Sequence, residues 1–590
     1  MPETVRIGGA SGAWGDSPMA IPQLLTAEVD YLVMDYLAEV TMSLLARARM
    51  KDPAGGYPPD FVAGMAANLA ALDERGIRVV TNAGGVSPVA CRDALAAAAK
   101  EAGLSPKIAI VEGDDMLPHT GAFRDPDGQP MGDLPNLLTA NAYLGALPIR
   151  AALDAGADIV ITGRAADSAL ALGILMHAFD WSSDDHDRLA AGSLVGHVLE
   201  CGPQATGGIH TDWRRVPGWE NIGYPIAACA EDGSFTLTKP PGTGGLITPG
   251  VVAEQVLYEV GDPAAYLLPD VVADFSHVVL TETGPNAVHV SGARGRPPTA
   301  DYKVSATWID GYRAVATFSI VGPDAAAKAE RTADAMLARG RAVLERDGFP
   351  DFRASHAEAL GAEASYPPGQ RNRDTREVVL RLVVEHPDRR AIERFAREVG
   401  SVGISFAPGT TGIMGGRPRA VPLIRLLTAF VAKAEVPAPT VTTGDGAPQT
   451  VDIPRGASLG PLDPDAAPEV AALDGCAVEV PLRVLAYARS GDKGDSSNIA
   501  LIARRPEYLP HIRREVTTER LLDHFAGLVE GPAERFEAPG LHAVNFLLQN
   551  ALGGGGIASP RIDPQGKAFG QMALEMTVRV PEGLIEEDTA

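Results

Sequence analysis

The sequence predicts an α/β protein: a mostly parallel sheet in a large N-terminal domain, an α+β second lobe, and a small α+β domain at the C-terminus. Three observations predict it. Short, nearly continuous apolar runs alternate with Ala- and Leu-rich segments of helical spacing, the alternation loses regularity after about residue 190, and a stretch dense in Pro, Gly and Asp, 436–475, sets the last part of the chain aside.

The apolar runs are Val5–Ile7, Tyr31–Met34, Ile77–Val80, Ile108–Val111 and Asp158–Thr162. Strands of this kind, apolar on both sides, belong to a parallel sheet covered on both faces. Between them FVAGMAANLAALDERG and VACRDALAAAAKEAG repeat apolar residues at helical spacing and end in glycine, which suits a helix C-terminus. Each run leads into polar or small residues: GGASGAWGDS (8–17), MDYLAE (34–39), TNAGGVSP (81–88), EGDDM (112–116) and TGRAADSA (162–169). Crossovers of one hand carry such ends to a single edge of the sheet, where open α/β folds bind their ligands.

The second lobe, about 190–435, holds an apparent helix Val251–Tyr258, the strand-like SATWIDGYRAVATFSIVG and the helical DAAAKAERTADAMLARGRAVLERDG. On this reading the domains are 1–435, a Pro/Gly-rich linker 436–475, and 476–590. The last reads as strand, an SGDKGD loop, strand, a helix around Arg513–Leu528, a strand near Ala543–Leu548, GGGG, and a final element ending in Val578–Val580.

Bulk composition narrows the function. A chain of 590 residues with 45% hydrophobic and 21% charged residues is globular and enzyme-sized, and 64 Gly with 47 Pro imply many tight loops. A formal charge of −24 repels nucleic acid and anionic lipid, so the expected partner is a small-molecule substrate rather than nucleic acid or membrane. Four scattered cysteines without a C-x-x-C pair give neither a disulfide framework nor a zinc module, which fits the cytoplasm. No run of about 18 apolar residues offers a membrane span. A homo-oligomer is expected from size and class.

Several carboxylates fall at strand ends: Asp16, Asp35, Glu39, Glu112, Asp114, Asp115 and Asp167. Converging there, Asp16, Asp35, Glu39 and Asp167 would supply a general base, and Asp114 with Asp115 would hold a divalent cation; each is equally the residue type that caps a helix. Asn82 in TNAGG is placed to donate to an enolate or thioester oxygen, or simply to make a turn with Gly84 and Gly85. Gly9, Ser11, Gly84 and Gly85 bring backbone close to a ligand. Arg164 suits a carboxylate or phosphate, or a helical i,i+3 pair with Asp167. Cys201 would become a nucleophile if His197 or a helix N-terminus lowered its pKa, and is otherwise a buried inert thiol. In GIMGGRPRAVP (412–422) Arg417 is a candidate for CoA phosphates or for domain packing, and Lys493 in the SGDKGD loop for an acidic ligand or for a solvated, self-paired turn with Asp492 and Asp495. GGASGAWG is too loose a likeness to G-x-G-x-x-G to argue for hydride transfer.

Seven blocks together resemble the acyclic terpene utilisation (AtuA) family: IGGASGAWGDS, the Tyr31-to-Glu39 stretch, TNAGG, ITGRAADSALALG, HVLECGPQATGG, GLITPGVVAEQVLYEVGDP and ARSGDKGDSSNIALIAR. The resemblance implies a large N-terminal domain plus a ferredoxin-like C-terminal domain, with a role in breakdown of acyclic terpenoids through CoA thioesters. The expected function is then a lyase, either a C–C lyase or a hydro-lyase, acting on a branched acyl-CoA or carboxylic acid by enolate chemistry. CoA enters as part of the substrate, and the only cofactor admitted is a divalent cation. The competing expectation is a non-catalytic ligand-binding or scaffold subunit of such a pathway.

Overall fold

The computed structural model describes residues 2–122, 124, 130–134, 136–460, 468–472 and 477–585. Eight strands open the chain: β1 (Val5–Ser11), β2 (Tyr31–Met34), β3 (Arg78–Thr81), β4 (Ile108–Glu112), β5 (Leu137–Ala142), β6 (Ile159–Thr162), β7 (Ile226–Cys229) and β8 (Phe235–Thr238). The helices among and after them are α1 (Ala20–Leu24), α2 (Glu39–Lys51), α3 (Pro59–Glu74), α4 (Pro88–Glu101), α5 (Leu147–Asp154), α6 (Ala169–Phe179), α7 (His186–Leu199) and α8 (Pro249–Val256).

Strands β1, β2, β3, β6 and β4 lie side by side and parallel at the heart of an eleven-stranded sheet. Their residues divide between two cores by simple alternation. Leu32, Met34, Val79, Ile108 and Ile161 face α1, α3 and α4, whereas Val33, Val80, Ala109 and Val160 face α5, α6 and α7. The sequence of α6, ALALGILMHAF, is apolar all round because the helix is enclosed on every side.

The sheet continues antiparallel beyond both ends of this parallel set. On one side come β7, β8, Ala287–Ser291 and Val279–Gly284, so much of the stretch assigned to a second lobe from residue 190 belongs to the first sheet. On the other side Thr440–Thr443 pairs with β4 and then with Gln449–Thr450. Part of the Pro/Gly-rich stretch 436–475 is therefore an outer strand of the large domain and not a linker. Its composition is that of a sheet margin, where proline costs no ladder hydrogen bond.

The second lobe is built on one strand of 21 residues, Asp301–Val321. Its first half pairs with β5 and Val421–Ala432 and buries Tyr302, Val304 and Ala306 in the main core. A register shift at Ile309–Tyr312, with Gly311 at φ +87°, turns it. The second half then pairs with Glu377–His386 and Thr410–Met414 and buries Ala314, Ala316, Phe318 and Ile320 under the helices Ala325–Arg346 and Arg389–Glu398.

The C-terminal domain is a four-stranded antiparallel sheet of Ala486–Lys493, Ser496–Ala503, Ala543–Leu548 and Ala533–Ala538. The helix expected around Arg513–Leu528 is two short ones, Leu509–Glu515 and Thr518–His524. The SGDKGD loop is a hairpin. Lys493 pairs with Ser496 across a two-residue turn whose first position is Gly494 at φ +65°, the backbone such turns require.

Candidate functional site

Three strand ends lock together first. A register shift in β1 between Gly9 and Ser11 re-aims Ser11, whose Oγ donates to the Asp35 carbonyl at 2.9 Å and to Ala13 O at 3.1 Å. Asn82, fully buried after β3, donates from Nδ2 to Asp35 Oδ1 at 2.6 Å and accepts from the Tyr36 N–H at 2.8 Å. Leu37 N–H also reaches Asp35 Oδ1, at 3.1 Å. Both bonds to the Asp35 carboxyl thus go to one oxygen, and Oδ2 is left for a proton or a ligand.

Asp35 shares a cavity with Ser11, Val33, Asp167, Leu170, Ala171, Gly196 and Glu200. Its volume is about 10 Å³, the room one water needs. Burial, and then the neighbouring Asp167, push the Asp35 carboxyl well above the usual carboxylate range; Arg164 and Asn82 oppose the shift without cancelling it. Asp35 therefore holds its proton more firmly than an ordinary carboxyl. Glu200, at the end of α7, is also raised, first by burial, with His197 pulling it back. His197 Nδ1 lies 3.0 Å from Glu200 Oε1 and its Nε2 3.1 Å from the Val256 carbonyl. A carbonyl only accepts, so Nε2 carries a hydrogen, and the Nδ1–Oε1 contact then needs one more proton shared by the pair.

Asp167 precedes α6, with its side chain 32% exposed, and pairs with the Arg164 guanidinium. This is the i,i+3 contact the sequence offered as one of two readings. Arg164 is buried and stacks on Tyr143, its Cζ 4.1 Å from the ring centroid, while the Lys303 ammonium sits 4.5 Å from the same ring. A second cavity of about 10 Å³ lies beside Arg164 and is walled by Met42, Thr139, Asn141, Tyr143, Ser305 and Thr307.

Asp114 braces this region from behind. Its Oδ2 accepts from Asn141 Nδ2 at 2.8 Å and from the Arg164 N–H at 2.9 Å, and burial raises its pKa to about 6. A carboxyl raised in the folded state binds its proton more tightly there than in the unfolded chain. Its contribution is therefore intact at acid pH and lost as pH climbs from about 4 through about 6, by about 3 kcal/mol for a shift of this size. Asp114→Asn keeps an acceptor oxygen and removes the ionisation. Urea unfolding at pH 4.5 and 7.5 should show the wild type losing about 2 kcal/mol more than the variant across that interval, the first part of the loss falling below pH 4.5; equal losses would refute the assignment.

The C-terminal domain packs on the segment that follows α8. Asn498 Nδ2 donates to Leu257 O at 2.8 Å while its Oδ1 accepts from the Glu259 N–H at 3.1 Å; Asn545 Nδ2 donates to Val260 O and Gly261 O at 2.8 and 2.6 Å. Glu259, gripped this way, has φ +57°, a strained value for a non-glycine residue. Its carboxylate is 2.9 Å from Lys567 Nζ, which also meets Tyr258 Oη. At the hairpin tip Lys493 is exposed as a residue, yet its ammonium is turned inward, 5.5 Å from the Tyr266 ring centroid. Burial weakens that ammonium, but Tyr266, Glu259 and Glu200 outweigh the effect and hold it above an ordinary lysine.

Of the residues singled out from sequence, the fold brings together Ser11, Asp35, Asn82, Arg164, Asp167, Cys201 and Lys493. Cys201 is beside Glu200, but both His197 ring nitrogens are engaged elsewhere, and burial with the Glu200 and Glu259 carboxylates drives the thiol well up rather than down. The activation by His197 is absent, and the short turn Gly202–Thr206 that Cys201 precedes does not bring the thiol down.

Other candidates have structural duties. Asp16 accepts from Gly12 N–H at 2.9 Å, Ser17 N–H at 2.6 Å and Tyr224 Oη–H at 2.5 Å. Gly9 lets β1 pass the end of α7, where a Cβ would stand 2.8 Å from Leu199 O. Gly84 N–H donates to Thr162 O at 3.0 Å and Gly85 N–H to Asn82 O at 3.2 Å, so neither is offered to an oxyanion. A Cβ at Gly84 would fall 2.5 Å from Thr162 O, so Gly84→Ala should lower stability by about 1–3 kcal/mol in chemical unfolding, while a Gly64→Ala control on α3, whose nearest neighbour is 4.0 Å away, should cost nothing. Arg417 is exposed in the turn between Thr410–Met414 and Val421–Ala432 and lines neither cavity. Asp115 uses its carboxylate to accept from Leu117 N–H at 3.0 Å, while its backbone bridges to Asn141. Among the described residues no group of three or more His, Cys, Asp or Glu side chains is arranged to hold a metal ion. Glu39 opens α2, and its side chain lies outside the described residues, as does Cys476. Cys91, Cys201 and Cys229 are free thiols. No helix among the described residues is long and apolar enough to cross a membrane.

Comparison with known families settles membership. The profile described as acyclic terpene utilisation family protein AtuA matches residues 5–442. The chain belongs to the AtuA family. A second profile, the AtuA ferredoxin-like domain, matches residues 480–579, so the small C-terminal sheet is the AtuA ferredoxin-like domain and its hairpin carries Lys493. The AtuA domain takes in every residue of the two cavities, and its name ties the chain to acyclic terpene utilisation. No curated protein and no solved structure matches the chain.

The site also contains residues that sequence reading passed over as functional: Glu200, Glu259, Tyr143, Tyr266 and Lys303. Glu200 and Glu259 lie inside two of the blocks that carry the family resemblance, but only the fold reveals that α7 and the turn after α8 meet there. Lys303 sits in a strand far along the chain, and no local pattern links it to Tyr143.

Proposed function

We propose that this AtuA-family protein is an enzyme of acyclic terpenoid or branched-acid breakdown, a C–C lyase or hydro-lyase that acts on a branched acyl-CoA or free acid through an enolate. The observation that carries the reading is that Asp35 and Glu200, two buried carboxyls both held above the usual range, share one cavity at the strand ends. Two carboxyls of raised pKa in one site fit the division of labour between an acid and a base.

In this mechanism Glu200 takes the proton from the carbon next to the carbonyl, and the electron pair left behind moves into the C–C=O unit. The Asp35 O–H hydrogen-bonds the oxygen on which that charge gathers, a role the amide of Asn82, already bonded to Asp35 and Tyr36, does not fill. Loss of a hydroxyl two carbons from the carbonyl, with the Asp35 proton, gives water and an unsaturated acid; cleavage of the C–C bond is the alternative outcome of the same enolate manifold. Arg164 and Lys493 orient the anionic end of the substrate.

A second reading, a ligand-binding subunit without turnover, is favoured by the cavity volumes, each about 10 Å³ and too small for an acyl chain. One experiment separates the two. The purified protein is incubated in D₂O with isovaleryl-CoA and a ten-carbon, doubly methyl-branched acyl-CoA, and deuterium entering next to the carbonyl is followed by mass spectrometry. Uptake far above the protein-free rate supports the enzyme. Binding by calorimetry without uptake supports the subunit.

A further inference from the structure

Cross-strand neighbours share a sheet face, and the register of the second lobe puts three rows on the face above the Arg164 cavity: Thr139–Thr307–Leu426, Asn141–Ser305–Thr428 and, next along, Lys303–Phe430 beside Tyr143. The first two residues of the first two rows wall the cavity. The opposite face of the same strands, with Tyr302, Val304, Ala306, Ala429 and Val431, is sealed in the main core. Crossing the rows toward Val421–Ala432 leads from buried to open: Thr139 and Thr307 are enclosed, whereas Leu426 is 37% and Phe430 61% exposed.

Helix α2 packs against β5 and both long strands. Ser43 Oγ donates to Thr307 Oγ1 at 2.8 Å, and Met42 closes the cavity. Ala46 and Met50 follow Met42 at four-residue steps along one stripe of the helix, the first half-buried and the second 79% exposed. Alanine leaves room for a chain to lie along the stripe, and methionine fits irregular aliphatic partners. From Leu426 to Phe430 the strand runs about 13 Å, and it lies one strand spacing, about 4.8 Å, from the Lys303 backbone. This is a narrow apolar ribbon, not the roughly 1,200 Å² that a stable dimer buries. It is continuous with a polar cavity and has two cations, Lys303 and Arg164, at its inner end.

We propose that Leu426 and Phe430, with the Ala46 and Met50 stripe of α2 beside them, hold the aliphatic chain of an anionic acyl substrate whose head group lies at Lys303 and Arg164. This rests on the reading that the protein binds a branched acid or its thioester, and adds where the chain lies.

The test uses the full-length protein and two probes, isovalerate and a doubly methyl-branched ten-carbon alkanoate, in calorimetry. Wild type should bind the longer acid at least about tenfold more tightly, since several buried methylene groups favour it. Phe430→Ser and the milder Leu426→Ser, both uncharged so that Lys303 opposite Phe430 keeps its charge balance, and both checked by circular dichroism, should abolish that difference by weakening the longer acid, isovalerate being too short to reach the ribbon; Lys303→Met should weaken both acids alike. A chain-length advantage that survives both ribbon variants overturns the placement alone. Failure of the wild type to bind either acid overturns the functional reading with it. A shift from dimer to monomer with Phe430→Ser in sedimentation would assign the ribbon to a second copy of the chain and overturn the proposal.

Discussion

Asp35→Asn is expected to bind a branched acyl-CoA with wild-type affinity and to lose deuterium exchange by at least about a hundredfold. Geometry and chemistry both support this. Asparagine has the shape of the protonated acid, and its oxygen can still accept from Asn82 and the Leu37 N–H, so the junction of β1, β2 and β3 survives. What disappears is the transferable proton on Oδ2 in a cavity shared with Glu200 and Asp167. The pH profile gives the same test a second arm. Because the Asp35 carboxyl is held well above the usual range by burial and Asp167, wild-type exchange should fall as pH rises through that raised pKa and Asp35 ionises. In Asp35→Asn the residual rate should lack that alkaline fall. Exchange in the variant within a few-fold of wild type would remove Asp35 from the mechanism.

The largest stability effect is expected at Arg313, far from the cavity. Its guanidinium is buried against Glu385, with Nη2 and Nε 2.5 and 3.1 Å from Oε1. It also donates to three successive carbonyls of the C-terminal domain: Ile557 O at 2.7 Å, Ser559 O at 2.9 Å, and Ala558 O. Arg313→Leu removes one partner of a buried ion pair and leaves the Glu385 carboxylate with the more distant Arg353, so a loss of about 3–5 kcal/mol is expected in chemical unfolding. The loop released is the one that packs on the hairpin turn, where Asp495 Oδ1 accepts from Leu552 and Gly554 N–H at 3.2 and 2.8 Å. Faster hydrogen exchange at 551–562 should accompany the loss. A change under about 1 kcal/mol, with exchange unaltered there, would show that the lobe and the ferredoxin-like domain are held together by other contacts.

The parallel core was readable because each strand is an apolar run flanked by helices with regular spacing, as in Ile159–Thr162 between α5 and α6. Strand ends meeting at one edge then followed from topology, and Ser11, Asp35, Asn82 and Asp167 do meet. Thr440–Thr443 was not readable: set among prolines and glycines, it becomes a strand only because β4 offers an unpaired edge. Local chemistry also misassigned the glycines of TNAGG. A glycine that admits a ligand and one that admits Thr162 O are identical in sequence, and only the packed neighbour distinguishes them. The base candidate Glu200 was hidden for a related reason, since its meaning depends on His197 one helical turn earlier and on Asp35 far up the chain.

Asn498 and Asn545 hold the segment from Leu257 to Gly261 almost wholly by its main chain. Recognition of that sort is indifferent to which side chains the gripped peptide carries, so what constrains Leu257 and Val260, both fully buried, is the packing around them and not this main-chain grip by the ferredoxin-like domain. Glu259 is the exception, because its twisted backbone points a carboxylate at Lys567, and a change there would be felt on both sides of the joint.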